Sequence, residues 1–234
     1  MDRYSLNARV YPVLILMLPI IVIGLSYSLE YKNYLQLLSS IGVTAALTYL
    51  LSNVGRDKGK LQEPNLWKKW GGMPSVQLLG SNNNQIDKLT KSKYINKLIN
   101  LSPIENITNI EFVNTEYKNE IFRSWTKYLI TRTRDTKKHP LVYKELISYG
   151  FRRNLWGLKC ISIVLLILTL LGNYSYQAIN HGFNNFLHYP IQFFISELIL
   201  LIILSVWIFL ITENWIKTPA FAYAERLLES IETL

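Results

Sequence analysis

The sequence predicts a mainly α-helical protein that crosses a membrane four times and carries a small, mostly helical cytoplasmic module between spans 2 and 3. Four apolar stretches lie at residues 12–29, 34–52, 156–173 and 191–212. Each is close in length to the ~20 residues that cross the hydrocarbon as a helix. The segment between the two pairs, 53–155, holds 19 of the chain's 25 Lys and Arg residues. Because Lys and Arg concentrate on the cytoplasmic side of a membrane, this charge distribution predicts the orientation as well as the class.

The first two stretches predict an N-terminal transmembrane hairpin, residues 1–52. The stretch 12–29 carries no charged side chain, and the link 30–33 is short enough to form only a tight turn. Arg3 and Arg9 give the N-terminus a positive charge. A second apolar stretch follows too soon for a cleaved signal peptide, so we expect both spans to be retained.

The last two stretches predict a second hairpin, residues 156–212, with a connecting loop at 176–190. That loop holds no Lys or Arg, so we expect it outside the cytoplasm. An even number of spans then places both termini in the cytoplasm of a multi-pass protein of the bacterial inner membrane. The alternative is a soluble all-helical core, and four apolar stretches of this length argue against it.

The central segment, 53–155, has 19 basic and 9 acidic residues and is long enough for a small folded module. Apolar side chains at helical spacing predict helices at 88–101 and 115–133. A third helix is predicted at 141–149 and should continue toward the third span. Residues 110–113 are the one short β-strand candidate.

Two further segments complete the predicted architecture. The Gly, Pro and Trp residues of 55–75 predict a loop with short pieces of structure. The tail, 213–234, predicts a cytoplasmic helix with Thr218 as its cap and Pro219 at its first position. We expect its apolar face to pack on the central module or on a neighbouring subunit rather than on the membrane surface, because its polar face lacks a Lys/Arg cluster. That face consists of Ala220, Tyr223, Leu227, Leu228 and Ile231.

The densest basic cluster lies at the end of the predicted helix 115–133. It contains Arg132, Arg134, Lys137 and Lys138. Arg is suited to bidentate contacts with phosphate, and these residues lie further from any span than a role in topology explains. The cluster is therefore a candidate site for an anionic ligand.

A second candidate interleaves aromatic and basic side chains at Trp67, Lys68, Lys69 and Trp70. Such a stretch can stack nucleobases or hold phosphate groups. The same side chains can instead anchor at the membrane interface, with the Lys side chains extending toward the headgroups. The sequence leaves both interpretations open and favours the anchor.

Five basic residues flank the predicted spans and are expected beside the membrane. The segment around Gly55 and Gly59 looks like a phosphate-binding loop, but its spacing is one residue short and Leu61 stands where Ser or Thr is needed. We therefore reject a nucleotide-hydrolysing site and expect a charged turn that contacts anionic lipid headgroups, at about 1 kcal/mol per basic residue. Arg152 and Arg153, beside the third span, are expected to set the topology. These juxtamembrane residues are Arg56, Lys58, Lys60, Arg152 and Arg153.

Glu197 is the only acidic residue inside a predicted span. A carboxylate that faces lipid is costly, so an intramembrane acid is by default a candidate functional residue. We expect it to line a cation pathway or to pair with a polar group on a neighbouring helix. A snorkelling or protonated side chain near the interface is the alternative.

No catalytic or metal-binding constellation is expected. Cys160 is the only cysteine, and the three histidines, His139, His181 and His188, are divided between opposite sides of the predicted membrane. No set of acids, bases or metal ligands converges in the sequence. We therefore expect no enzymatic activity and no cofactor.

A set of strings between the second and third spans carries a resemblance to a known group. The strings are residues 56–60, 63–67, 70–75, 131–140 and 149–154. They resemble small bacterial membrane proteins that are found near anti-phage defence genes. Within that setting the chain is similar to the membrane effector of the Hailong defence system.

This resemblance implies a function and a set of partners. The Hailong effector is an oligomeric ion channel held shut by a DNA oligomer that its partner nucleotidyltransferase makes. The partners implied here are membrane lipid, further copies of the chain with a tetramer as first expectation, a nucleotide or short single-stranded DNA, and a defence-system enzyme. The alternative is a membrane-anchored interaction or scaffold protein that binds a partner or anionic lipid and does not conduct ions.

Overall fold

The computed structural model describes residues 3–30, 34–102, 114–183 and 185–234. Within these residues the chain forms helices and turns and no β-strand, which confirms the mainly α-helical prediction. The strand candidate 110–113 lies outside the described residues. The main helices are α1 (Tyr11–Glu30), α2 (Tyr34–Trp70), α3 (Pro74–Leu79), α4 (Lys88–Leu101), α5 (Thr115–Arg132), α6 (Pro140–His181), α7 (Ile191–Ser205) and α8 (Glu213–Glu229).

Shorter helical segments extend three of these helices. A single turn, Arg3–Ser5, and a π-helical segment, π1 (Leu6–Val10), precede α1. A second π-helical segment, π2 (Val206–Leu210), follows α7. A 3₁₀ turn, Ser230–Thr233, follows α8, and another, Phe186–His188, lies between α6 and α7.

Three stretches of the described chain are long and apolar enough to cross a membrane. They are Arg3–Tyr27, Pro140–His181 and Ile191–Leu210, and they correspond to the predicted first, third and fourth spans. The predicted second span, 34–52, lies in α2 and is not one of these stretches. A fourth span therefore stays a prediction.

The helices predicted for the central segment are present. The prediction 88–101 matches α4, and 115–133 matches α5 with its end one residue earlier. The helix predicted at 141–149 is part of α6, which begins at Pro140 and continues through the third span. Because α6 reaches His181, the prediction of a loop from residue 176 is wrong by six residues.

The prediction of a loop at 55–75 is also wrong, since α2 continues to Trp70. The helix ends in a Schellman motif, in which the Gly72 N–H donates to the Trp67 carbonyl at 2.7 Å and the Gly71 N–H donates to the Lys68 carbonyl at 3.2 Å. Gly71 has a φ of 90°, which a glycine adopts without strain. The two glycines thus mark the end of a long helix rather than the middle of a loop.

The described chain divides into two compact units. Unit 1 comprises Met1–Gln62 and Gly150–Trp215, and unit 2 comprises Glu63–Tyr149 and Ile216–Leu234. The division falls inside α2, α6 and α8.

Unit 2 is built around one apolar cluster to which α3, α4, α5 and the C-terminal tail contribute. Phe122 and Trp125 of α5 are almost fully buried in it. Lys93 and Lys97 of α4 pair with Glu232 in the tail. The cluster includes four tail residues, which confirms that the tail packs on the central module: Ala224, Leu227, Leu228 and Ile231.

The cap predicted for the tail helix is wrong. The α8 helix begins at Glu213, and Pro219 lies inside it. Its first turn is capped by Thr212, whose Oγ1 accepts a hydrogen bond from the Trp215 N–H at 3.3 Å. Thr212 precedes the helix and caps it, whereas Thr218 lies inside the helix.

Lys91 organises the connection between α3 and α4. Its side chain is buried, and its Nζ donates to the Gly80 carbonyl at 2.7 Å and to the Asn83 carbonyl at 2.6 Å. Burial, with a smaller contribution from Lys88, lowers the pKa of this ammonium. Backbone carbonyls thus satisfy a lysine that the charge count alone would assign to the basic surface.

A close helix crossing joins α2 and α6 in unit 1. Gly55 and Gly59 of α2 face α6, and a Cβ atom on Gly157 would lie 2.5 Å from the Gly59 nitrogen and 3.0 Å from the Gly55 carbonyl oxygen. Small residues four apart allow membrane helices to approach backbone to backbone. The glycine spacing that superficially resembles a phosphate-binding loop is therefore a helix-packing motif.

Candidate functional site

The candidate site is a polar network among the apolar helices of unit 1. Its acidic member is Glu197 of α7, whose Oε1 accepts a hydrogen bond from Asn173 Nδ2 of α6 at 2.8 Å. The same Nδ2 lies 3.1 Å from Ser196 Oγ. Glu197 thus pairs with a polar group on a neighbouring helix, which is one of the two roles that the sequence leaves open.

The network extends to α1 through Tyr27. The Tyr27 hydroxyl donates to Asn173 Oδ1 at 2.6 Å and accepts from Gln177 Nε2 at 3.0 Å. Asn173, Gln177 and Ser196 are 5%, 2% and 1% exposed. Side chains from three helices therefore form one hydrogen-bonded group, which we call the Glu197 network: Tyr27, Asn173, Gln177, Ser196 and Glu197.

Local geometry explains why these side chains meet. Asn173 and Gln177 are four residues apart on α6 and so share one face of the helix. The Tyr27 ring contacts the Tyr176 ring edge to face, with centroids 5.3 Å apart. Sequence reasoning identified Glu197 and missed its partners, although the buried polar pair at helical spacing was a usable signal.

Further polar side chains are buried on α2 and α6. Thr44, Thr48 and Ser52 recur every fourth residue of α2 and are each less than 9% exposed. Ser162 of α6 is 1% exposed. Among the described residues, Thr48 Oγ1 and Ser162 Oγ have no hydrogen-bond partner. Unit 1 therefore contains buried polar groups beyond the Glu197 network.

Two side chains of α6 bind carbonyl groups of the π-helical segments. Asn154 Nδ2 donates to the Ala8 carbonyl of π1 at 2.6 Å. Lys159 Nζ donates to the Ile208 carbonyl of π2 at 3.1 Å and to the Ile211 carbonyl at 2.7 Å. Lys159 thus stabilises the end of the candidate span Ile191–Leu210 both by hydrogen bonds and by its charge near the carbonyl end of a helix.

The juxtamembrane residues of α2 lie on a helix rather than on the charged turn expected from the sequence. Arg56 contacts Asp57 at 2.9 Å, and both side chains are partly exposed. Lys58 and Lys60 are exposed. A surface ion pair of this kind contributes little to stability, and lipid contact by the exposed lysines stays a prediction.

Arg152 and Arg153 differ from a simple pair of surface charges. Arg152 Nη1 donates to the Trp215 carbonyl at 2.8 Å, and its guanidinium lies 4.7 Å from the Trp215 ring centre. That carbonyl lacks its usual helical donor because Pro219, four residues later, has no N–H. Arg153 is 7% exposed, and its guanidinium contacts Asn154.

The basic cluster after α5 is fully on the surface. Arg132, Arg134, Lys137 and Lys138 are all exposed. The Arg132 guanidinium lies 5.2 Å from the Tyr128 ring centre. The nearby Asp135 carboxylate does not pair with these side chains. Its Oδ1 accepts hydrogen bonds from the backbone N–H groups of Lys137 and Lys138. Among the described residues, no carboxylate pairs with these four basic side chains.

The mixed aromatic and basic stretch lies in the last turn of α2. Lys68 and Lys69 are exposed. Trp70 is 8% exposed and belongs to the buried side chains, whereas Trp67 is half-buried. Base stacking on Trp70 would require its ring to be uncovered, so the exposed side chains of this stretch are the two lysines.

Within the described residues, no group of three or more His, Cys, Asp or Glu side chains is placed to hold a metal ion. The candidate residues can therefore offer hydrogen bonds and charge among the apolar helices of unit 1, and positive charge on the surface of unit 2.

Comparisons with protein-family models, with curated proteins and with solved structures found no match.

Proposed function

We propose that the chain is the membrane-spanning subunit of an oligomeric ion channel, in which the Glu197 network borders the conducting path. The observation that carries the proposal is a half-buried carboxylate that is hydrogen-bonded to buried polar partners among apolar helices. Ionisable residues in membrane spans are costly, and they usually face a bundle interior or a water-filled cavity. Acidic side chains along a path favour cations.

Two buried hydroxyls favour a hydrated path over a dry helix contact. Thr48 Oγ1 and Ser162 Oγ are buried without a partner among the described residues. A buried polar group that lacks a protein partner is usually satisfied by ordered water. Water at these positions would extend the polar environment of the network along α2 and α6.

The number of spans favours assembly of several copies. A unit with three or four membrane helices is too small to surround a water-filled path by itself, so we propose a homo-oligomer, with a tetramer as first expectation. The exposed faces of the spans are apolar, as contact with lipid or with another copy requires: Leu198, Leu201 and Ile202 are each at least half exposed.

A cation-flux assay in liposomes tests the channel. Glu197→Gln keeps an oxygen that can accept from Asn173 and removes the charge, so we expect cation flux to fall by at least about tenfold while the protein stays folded. Ser205→Ala is the matched control, because Ser205 is exposed on the same helix and bonds only to its own turn. Absence of flux in the wild type, or equal flux in Glu197→Gln, would contradict the proposal.

We further propose that the exposed basic cluster after α5 binds the anionic ligand that controls the channel. The support is its exposure and the lack of a carboxylate partner among the described residues. Arg132 and Arg134 supply the planar donor sets that phosphate oxygens accept. In the defence setting that the sequence resemblance implies, the ligand would be a nucleotide or short single-stranded DNA made by a partner enzyme.

Binding of a labelled single-stranded oligonucleotide at several salt concentrations tests this site. Each phosphate contact contributes a slope of about 0.7 in log affinity against log salt, so Arg132→Gln/Arg134→Gln should reduce the slope by about 1.4. Lys58→Gln/Lys60→Gln removes the same charge from α2 and should leave the slope unchanged. Equal slopes in both double variants would mean that binding reports net charge alone.

The second candidate function is a membrane-anchored scaffold, and the same exposed basic cluster favours it. A basic surface without internal carboxylate partners can also bind an acidic protein or an anionic bilayer. Selective binding to vesicles that contain phosphatidylglycerol, without any conductance, would support the scaffold over the channel.

A further inference from the structure

Arg9 is a charged side chain in an apolar setting. It lies in π1, inside the candidate span Arg3–Tyr27. Its guanidinium lies 5.7 Å from the centre of the Tyr4 ring, and its Nε is buried without a hydrogen-bond partner among the described residues. No carboxylate of the described chain pairs with it. A partly buried charge without a counter-ion is unfavourable, so we expect an anionic group to neutralise it.

The position of Arg9 along the first span corresponds to the lipid headgroups. It precedes the uncharged stretch 12–29 by three residues, which is about 4.5 Å along a helix. The polar layer of a bilayer begins at the end of the hydrocarbon core. Leu6, Tyr11 and Leu14 of the same segment are 38%, 42% and 36% exposed, and such side chains can contact acyl chains next to a bound headgroup.

The α6 helix holds this segment in place. A Cβ atom on Gly150 would lie 3.0 Å from the Tyr4 hydroxyl and 3.2 Å from the Ala8 Cβ, so α6 is in close contact with the segment that contains Tyr4 and Ala8. Asn154 binds the Ala8 carbonyl at 2.6 Å. The residue before Asn154 on α6, Arg153, carries a second positive charge in this part of unit 1. The setting of Arg9 is therefore fixed by packing and positive in charge.

We propose that Arg9, supported by the Tyr4 ring, binds the phosphate group of a phospholipid headgroup. A guanidinium offers parallel N–H donors to two phosphate oxygens, and it keeps this geometry when one face rests on an aromatic ring. The apolar side chains beside it favour a phosphate that is attached to acyl chains over a free phosphate ion. This inference is independent of conduction and holds for a channel or a scaffold.

Native mass spectrometry of the full chain in detergent tests the site with phosphatidylglycerol as the probe. We expect Arg9→Gln to weaken binding of the first lipid by about tenfold, the loss expected for one charge-assisted contact. Arg3→Gln, in the same segment but exposed, should change it less than about twofold. Diacylglycerol with the same acyl chains lacks the phosphate and should bind wild type and Arg9→Gln equally.

Two further measurements test alternative explanations of a loss of binding. Arg9→Lys retains the charge and should fold even if Arg9→Gln does not, and we expect it to bind the lipid more weakly than wild type because it lacks the planar donor pair. Inorganic phosphate should not displace the lipid at equal concentration. Unchanged lipid binding in Arg9→Gln and Arg9→Lys, or displacement by inorganic phosphate, would overturn the proposal.

Discussion

Gly157→Ala should strongly destabilise unit 1, although it adds a single methyl group. The new Cβ would lie 2.5 Å from the Gly59 nitrogen and 2.9 Å from the Gly59 Cα. Both are backbone atoms of α2, so no side chain can rotate away and the two helices would have to separate. Overpacking of this kind typically costs about 1–3 kcal/mol. We expect a lower melting temperature in detergent and a smaller fraction of monodisperse protein.

The α6 helix supplies its own control for this variant. Gly172→Ala makes the same chemical change, and a Cβ there would meet nothing within 4 Å. Because Ala is a better helix former than Gly, Gly172→Ala should leave the melting temperature unchanged or raise it slightly. Gly59→Ala tests the other side of the crossing, with its Cβ 2.9 Å from the Arg153 carbonyl oxygen. Equal melting temperatures for Gly157→Ala and Gly172→Ala would show that the crossing tolerates separation.

Asn173→Leu should have the second large effect, because Asn173 is the central member of the Glu197 network. Its amide donates to Glu197 and Ser196 and accepts from Tyr27. Leu fills a similar volume but removes all three hydrogen bonds. Glu197 loses its Asn173 donor, whereas Ser196 keeps its bond to the Phe193 carbonyl and Tyr27 keeps its bond from Gln177. A single interhelical hydrogen bond in a membrane is worth only about 0.6 kcal/mol on average, whereas each stranded buried polar group costs about 1–3 kcal/mol. We expect a loss of about 1–3 kcal/mol, measured as unfolding in mixed micelles.

A double variant separates the free-energy cost of leaving the Glu197 carboxylate without its Asn173 donor from the cost of the changed packing. Removing both partners of a buried pair is much less harmful than removing one. Asn173→Leu/Glu197→Leu should therefore be more stable than Asn173→Leu alone, and the coupling can be read from a double-mutant cycle. If the double variant is less stable than Asn173→Leu, Glu197 is stabilised by something other than Asn173.

Secondary structure was largely predictable where one helix carries its own signals. The α4 helix has matching bounds because Asp87 caps it and its apolar residues keep helical spacing. The end of α2 was missed because its Gly and Trp residues were interpreted by composition. Lys68 and Lys69, followed after Trp70 by two glycines, are the signals of a helix C-terminus. Their order along the chain would have indicated that a helix ends at this point.

The candidate site was predictable only in part, because its members come from distant segments. Glu197 stands out as an acid in an apolar stretch, but Tyr27 and Asn173 become its neighbours only through the packing of three helices. The role of Gly55 and Gly59 depends in the same way on Gly157, about a hundred residues later. The sequence predicts Arg153 as a juxtamembrane charge and does not indicate that its side chain is buried. Spacing within one segment does not contain this information.

The glycine crossing of α2 and α6 also determines which relative movements of these two helices are easy. Interlocked side chains resist tilting and sliding alike, but a contact between bare backbones has no side chains to interlock. Tilting about the crossing leaves the Gly59–Gly157 contact in place, whereas sliding by one turn would bring the residues that flank the glycines into it. Within unit 1, the crossing can therefore serve as a fulcrum, and a small change of angle there would move the far ends of both helices by a larger distance.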